Sequence, residues 1–163
     1  MNKGNIKTGW LFLSIILLIS LVSCNPGRQY EKEEKAKIQN YLSANSTLDF
    51  VRQASGLYYL ETKKGTGFTP VAGDSAFVRY TGMFLNGTIF DSNATSAKLY
   101  SFVVGDNIPG FDEGISLIAV GGKATLLLPS SLGYGTFGSY PIAGYTPLLF
   151  DIELVGAKRA PVK

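Results

Sequence analysis

The segment Ser75-Ala76-Phe77-Val78-Arg79-Tyr80-Thr81-Gly82-Met83-Phe84-Leu85-Asn86-Gly87-Thr88-Ile89-Phe90-Asp91 reads as a strand, a tight turn and a returning strand. Phe77, Arg79 and Thr81 share one parity and Ala76, Val78 and Tyr80 the other, which is the two-residue period of a pleated strand. Asn86-Gly87 is the pair that a two-residue hairpin turn favours, because both residues tolerate positive φ. An antiparallel hairpin over residues 75–91 is therefore the nucleus of the expected fold.

The pattern continues on both sides of it. Residues 57–62 are apolar and β-prone, and 63–74 form a turn-rich connection through Gly65, Gly67, Pro70 and Gly73. Residues 100–104, 123–128 and 147–155 read as further short strands, and 112–117 as one short helix. The whole predicts an α+β fold, an antiparallel twisted sheet of about five strands wrapped on one short helix. Upstream, residues 29–44 read as a charged helix with Glu31/Lys35 and Glu33/Lys37 at i,i+4 spacing. Its few apolar positions, Tyr30, Ile38, Tyr41 and Leu42, predict a solvated helix with one weak edge against the domain.

The first residues have a different character. Lys3 and Lys7 precede an apolar run from Trp10 to Val22, shorter than the roughly 20 residues of a spanning helix and suited to the core of a signal peptide. Leu21-Val22-Ser23-Cys24 resembles a bacterial lipobox, which implies cleavage before Cys24 and a lipid on its thiol. Cys24 is the only cysteine, so it has no disulfide partner within the chain, and lipidation gives it a role. More than one acyl chain makes such an anchor stable. The expected organisation is a signal peptide over 1–23, a lipidated tether and helical segment over 24–55, a folded domain over 56–157 and a tail over 158–163. Asn25 does not resemble the Asp that retains some lipoproteins at the inner membrane, so the outer membrane is expected over the inner.

Composition excludes several chemistries. With no histidine, Ser-His-Asp and Cys-His constellations and histidine-based metal sites are ruled out. One cysteine excludes a multi-cysteine metal site, and neither metal nor cofactor is expected. Without Lys3 and Lys7 the 15 basic residues fall to 13 against 12 acidic ones, mixed along the chain with no basic stripe, so nucleic acid is not an expected partner. No second apolar face is evident, and a monomer is expected.

The chemistry-bearing segments come in a fixed order. Val78-Arg79-Tyr80-Thr81-Gly82 is followed by Gly87-Thr88-Ile89-Phe90-Asp91, Phe102-Val103-Val104-Gly105 and Ile108-Pro109-Gly110-Phe111-Asp112-Glu113-Gly114. Val120-Gly121-Gly122-Lys123-Ala124, Leu128-Pro129-Ser130 with Leu132-Gly133-Tyr134-Gly135, and Leu148-Leu149-Phe150-Asp151-Ile152-Glu153-Leu154 complete the series. In this order and spacing, over about residues 56–156, the chain resembles the FKBP-type (macrolide-binding immunophilin) peptidyl-prolyl cis-trans isomerases. The resemblance implies that Phe111 is the floor on which a proline ring rests, where many relatives have a larger Trp. It implies that Tyr80, Phe90 and Phe150 wall the ring and that Tyr100 and Ile142 contact substrate. The N–H of Ile108 and the hydroxyl of Tyr134 would bond substrate carbonyls. Asp91 would orient neighbouring groups without transferring a proton. The implied partners are proline-containing unfolded or exported proteins, with macrolides as further ligands.

The chemistry implied needs no histidine or metal. The barrier to rotating a peptide bond is amide resonance, about 18–20 kcal/mol, lower but still slow for X-Pro. A dry apolar pocket favours the twisted, less polar amide, and a few fixed donors orient its carbonyl. Taken singly, Tyr80 and Phe150 on strands suit a core as well as a site, whereas Tyr134 between Gly133 and Gly135 suits a site better. Three departures from the family's usual pattern stand out. Ser96 occupies a position where close eukaryotic relatives often carry Arg, Ile142-Ala143-Gly144-Tyr145 replaces Ile-Pro-Pro-Asn, and the 105–110 segment is about two residues short. They leave two other readings open, a non-catalytic module binding proline segments in an envelope complex and a structural lipoprotein.

Overall fold

The computed structural model describes residues 26–161. The expected signal peptide over 1–23 and the lipidation site Cys24 lie outside the described residues. Among those described, no helix is long and apolar enough to cross a membrane.

Helix α1 spans Pro26–Ala44, followed by β1 (Val51–Arg52), β2 (Tyr58–Lys63), β3 (Ser75–Phe84), β4 (Ile89–Ser92) and β5 (Tyr100–Val103). Then come α2 (Pro109–Ile115), β6 (Lys123–Leu128), a 3-10 turn (Ser130–Leu132), β7 (Gly138–Ser139), β8 (Ile142–Ala143) and β9 (Leu148–Lys158). The seven-stranded antiparallel sheet runs β1-β2-β6-β9-β3-β4, with β5 also paired to β3. The expected strands all appear. The expected count of about five becomes seven, because all six segments read as strands join one sheet and the two-residue β1, too short to carry readable alternation, extends its edge.

The hairpin read from residues 75–91 is central. One side of β3 pairs with β9 along its length, from Ser75↔Lys158 to Phe84↔Leu148. The other side is shared, with Ser75–Val78 against β5 and Thr81–Met83 against β4. The alternation is obeyed: Ala76 and Val78 are fully buried, while Phe77, Arg79 and Thr81 are only half-buried. The buried parity faces α2, and Phe111 and Ile115 join Leu126, Leu148, Phe150 and Leu154 in the main core. Each such side chain, removed from water, contributes about 1.5–3 kcal/mol. Gly114 allows α2 to lie on β6, since a Cβ there would stand 2.1 Å from Leu126 Cδ1.

Helix α1 covers the opposite face. Ile38 packs with Leu127 and Leu149, joined by Tyr41, Leu42, Tyr58 and Met83. This is the weak edge expected, with one addition: Glu34 is buried at 8% exposure. Neither expected i,i+4 ion pair closes among the described residues, and Glu33 instead accepts from Gln29 Nε2 at 2.8 Å. At the other end β9 runs to Lys158, and the Ala160 N–H donates to Asp74 Oδ1 at 2.9 Å. The start of the expected tail is thus tied to the sheet.

Candidate active site

Seven elements converge over α2. β3 supplies Tyr80, β4 Phe90 and Asp91, β5 Tyr100, the loop before α2 Asn107 and Ile108, the first turn of α2 Phe111, the segment after the 3-10 turn Tyr134, and β9 Phe150. They enclose a cleft of about 280 Å³.

Its floor is rigid. Phe111 is 4% exposed and meets the rings of Tyr80, Phe102 and Phe150 edge-on at 5.9, 5.6 and 5.3 Å between centroids. Edge-to-face aromatic pairs of this kind add about 0.5–1.5 kcal/mol each beyond burial. Phe90 packs edge-on against Phe150 at 5.7 Å. The strand beneath them has no side chain at Gly82, where a Cβ would lie 2.7 Å from Phe90 Cζ and 2.9 Å from Phe150 Cε1. Gly82 is therefore required by close approach to the wall, and the pairing with β4 shifts register just after it. Phe102 is buried and stacks against Tyr100 at 5.2 Å.

The polar groups have distinct duties. The Tyr80 hydroxyl donates to Asp91 Oδ2 at 2.5 Å and is committed to it. Burial pushes the Tyr80 phenol up, and the hydrogen bond to the Asp91 carboxylate pushes it further. Tyr134 is also raised, by burial first and then by the charge of Asp91. Both phenols therefore stay protonated at neutral pH and remain donors. Among the described residues, the Tyr134 hydroxyl and the Ile108 N–H take part in no hydrogen bond, so both are free for a ligand carbonyl. The Ile108 carbonyl is occupied, accepting from Phe111 N–H at 3.0 Å at the start of α2.

Two placements differ from the sequence reading. Ile142 does not line the cleft: β8 pairs Ser139↔Ile142, and the Ile142 side chain is 6% exposed within the main core. Its place is under the rim, as packing. Asn107, which the sequence reading did not single out, does line the cleft. Its Oδ1 accepts from the Tyr100 hydroxyl at 2.9 Å, and its N–H donates to Asp112 Oδ2 at 2.9 Å. The available signal was a polar side chain in the shortened loop directly before Ile108. The position expected to lack an Arg is also accounted for, since Ser96 uses its carbonyl oxygen to accept from Arg79 Nη1 at 2.5 Å.

An antiparallel sheet wrapped on one short helix, with an aromatic cleft above that helix and two uncommitted donors at its edge, defines the class: the chain belongs to the FKBP-type peptidyl-prolyl cis-trans isomerase family. The model of that family matches residues 67–155. The chain is 39% identical to the FKBP-type peptidyl-prolyl cis-trans isomerase FkpA of Aeromonas hydrophila over 78% of this chain and 48% of that protein. It is 38% identical to the outer membrane protein MIP of Legionella longbeachae over 79% of this chain and 56% of that protein. The crystal structure of FkpA from Escherichia coli superposes with a TM-score of 0.73 at 29% identity, covering 98% of this chain and 76% of that one. The chain spans about half the length of the curated relatives it matches.

Proposed function

We propose that this protein is a peptidyl-prolyl cis-trans isomerase that assists the folding of exported proteins in the bacterial envelope, held at a membrane by a lipid on Cys24. The observation that carries the catalytic reading is the pairing of a closed aromatic floor with the two free donors, Tyr134 hydroxyl and Ile108 N–H. A proline ring seated on Phe111 places its amide against Tyr80, Phe90 and Phe150. Rotation about the C–N bond removes resonance and polarity, and the apolar walls favour that state over the planar amide. The donors hold the carbonyls on either side so that the amide alone rotates. No bond is made or broken and no proton moves. Asp91 acts through the Tyr80 hydroxyl, holding the wall in place.

The envelope assignment rests on the leader, on the lipobox-like Leu21-Val22-Ser23-Cys24 and on a relative whose name places it in the outer membrane. The same cleft is proposed to take macrolides. The test is isomerisation of a proline peptide by the folded chain, with a macrolide as competitor. Turnover at the background rate would sink the catalytic reading, and binding without turnover would favour a proline-segment binding module. For the anchor, labelled palmitate must enter the wild type and not Cys24→Ser.

A further inference from the structure

Helix α1 lies outside the residues matched by the family, yet it contacts the segment that carries Tyr134. Its carboxylates would be expected in water, and Glu31 and Glu33 are exposed. Glu34 is buried, which is costly for a carboxylate unless its oxygens are bonded. Both are. Oε1 accepts the backbone N–H of Ser130, and Oε2 accepts the Ser130 hydroxyl at 2.8 Å, across 96 residues of sequence.

Ser130 begins the turn that carries Tyr134. Its carbonyl accepts from Gly133 N–H at 2.9 Å and from Gly135 N–H at 2.8 Å, so Tyr134 is bracketed on both sides by bonds to the residue that Glu34 grips. A second contact from α1 joins the same segment. Tyr30 stacks on Tyr145 at 5.4 Å, and the Tyr145 N–H donates to the Gly135 carbonyl at 3.0 Å. Charge-assisted bonds to a fixed helix are stronger and more directional than the neutral bonds of a loop.

We infer that Glu34 is a positioning residue, which fixes Ser130 and through it the place of the Tyr134 hydroxyl over the cleft. The inference rests on the reading of Tyr134 as the donor to a substrate carbonyl. It makes α1 a functional part of the isomerase unit, and not only a cover for the outer face of the sheet.

The test uses the full chain and a proline peptide. Glu34→Ala is expected to lower kcat/KM about tenfold with the far-ultraviolet circular dichroism retained, since sub-ångström misplacement of a catalytic donor has effects of this order. Glu34→Gln keeps the geometry without the charge: Oε1 accepts the Ser130 N–H and Nε2 donates to the Ser130 hydroxyl. It is expected to stay within about twofold of wild type. In a Tyr134→Phe background, Glu34→Ala should cost less than about twofold, because the hydroxyl it positions is gone. Equal losses in both backgrounds, or a Glu34→Gln protein as slow as Glu34→Ala, overturn the assignment. If Glu34→Ala does not fold, Ser130→Ala, which keeps the N–H bond, takes its place in the cycle with the same criterion. Failure of the catalytic reading is told apart by the wild type, which then shows no turnover at all.

Discussion

Tyr80 on β3 and Asp91 on β4 are joined through their side chains at 2.5 Å, with Tyr80 two residues along β3 from Gly82, the pairing partner of Asp91. The hairpin that organises the sheet therefore also sets the aromatic wall. Tyr80→Phe keeps the ring contacts to Tyr100, Phe111 and Phe150 and removes only the bond. A side chain that has lost one of its constraints positions substrate less well, and kcat/KM should fall about three- to tenfold. Because Asp91 is exposed, global stability should change by less than about 1 kcal/mol in a urea melt. A large loss of stability without a loss of rate would mean that the Tyr80–Asp91 bond serves the fold and not the site.

Tyr134 offers a test by pH. Its phenol is raised from the ordinary 10.0, by burial first and then by Asp91 and Tyr100. A donor that keeps its proton keeps its function, so the Tyr134 contribution should persist from neutral pH to above about 10. Tyr134→Phe should lower kcat about tenfold and remove the alkaline loss that the wild type shows beyond that point. An alkaline limb that is the same in both proteins would assign it to another group.

Phe111 separates shape from burial. It touches three rings and is 4% exposed, so Phe111→Ala should cost about 3–5 kcal/mol in stability and confuse the readout. Phe111→Leu retains much of the volume but loses the three ring pairs, and should cost about 1.5–3 kcal/mol, less than the alanine. It removes the flat floor, and the rate measured well below the melting temperature should fall by more than the lost stability explains. Parallel losses in both quantities would argue that the ring serves packing alone.

The strand alternation, the Asn86-Gly87 turn and the ordered motifs made the sheet and most of the cleft readable in advance, because each is local in sequence. Tyr80, Phe90, Phe111 and Phe150 were legible through the ordered motifs and the resemblance they carry, since strand position alone suited Tyr80 and Phe150 to a core as well. What could not be read depends on long-range contact. Ile142 carries the chemistry of a pocket wall, but only the two-residue pairing of β8 decides that it points into the core. Glu34 sits in a run of charged residues, and its burial follows from a partner 96 residues away. Asn107 is one polar residue in a loop until Tyr100 folds over it. Short strands and cross-chain hydrogen bonds leave little periodic trace.

Asp74 gives the last prediction, on stability. It lies just before β3, is 2% exposed, and is gripped by the N–H groups of Val71 and Ala160 and by Arg159 at 2.8 Å. The two backbone donors hold its carboxyl below the usual 3.8, helped by Arg159 and opposed in part by burial. A carboxylate with a lowered folded pKa stabilises the fold above its unfolded value, and that stability is lost as pH falls through the lower folded value. The melting temperature should therefore hold steady at neutral pH and begin to drop below about pH 4. Asp74→Asn should melt lower than wild type at pH 7, because its amide presents N–H groups to donors that need an acceptor. The gap between the two proteins should narrow as the pH falls through the lowered folded value of the wild-type carboxyl, to about the level set by the amide alone. A constant gap across the whole range would show that the charge of Asp74 contributes nothing to holding the end of β9 against the start of β3.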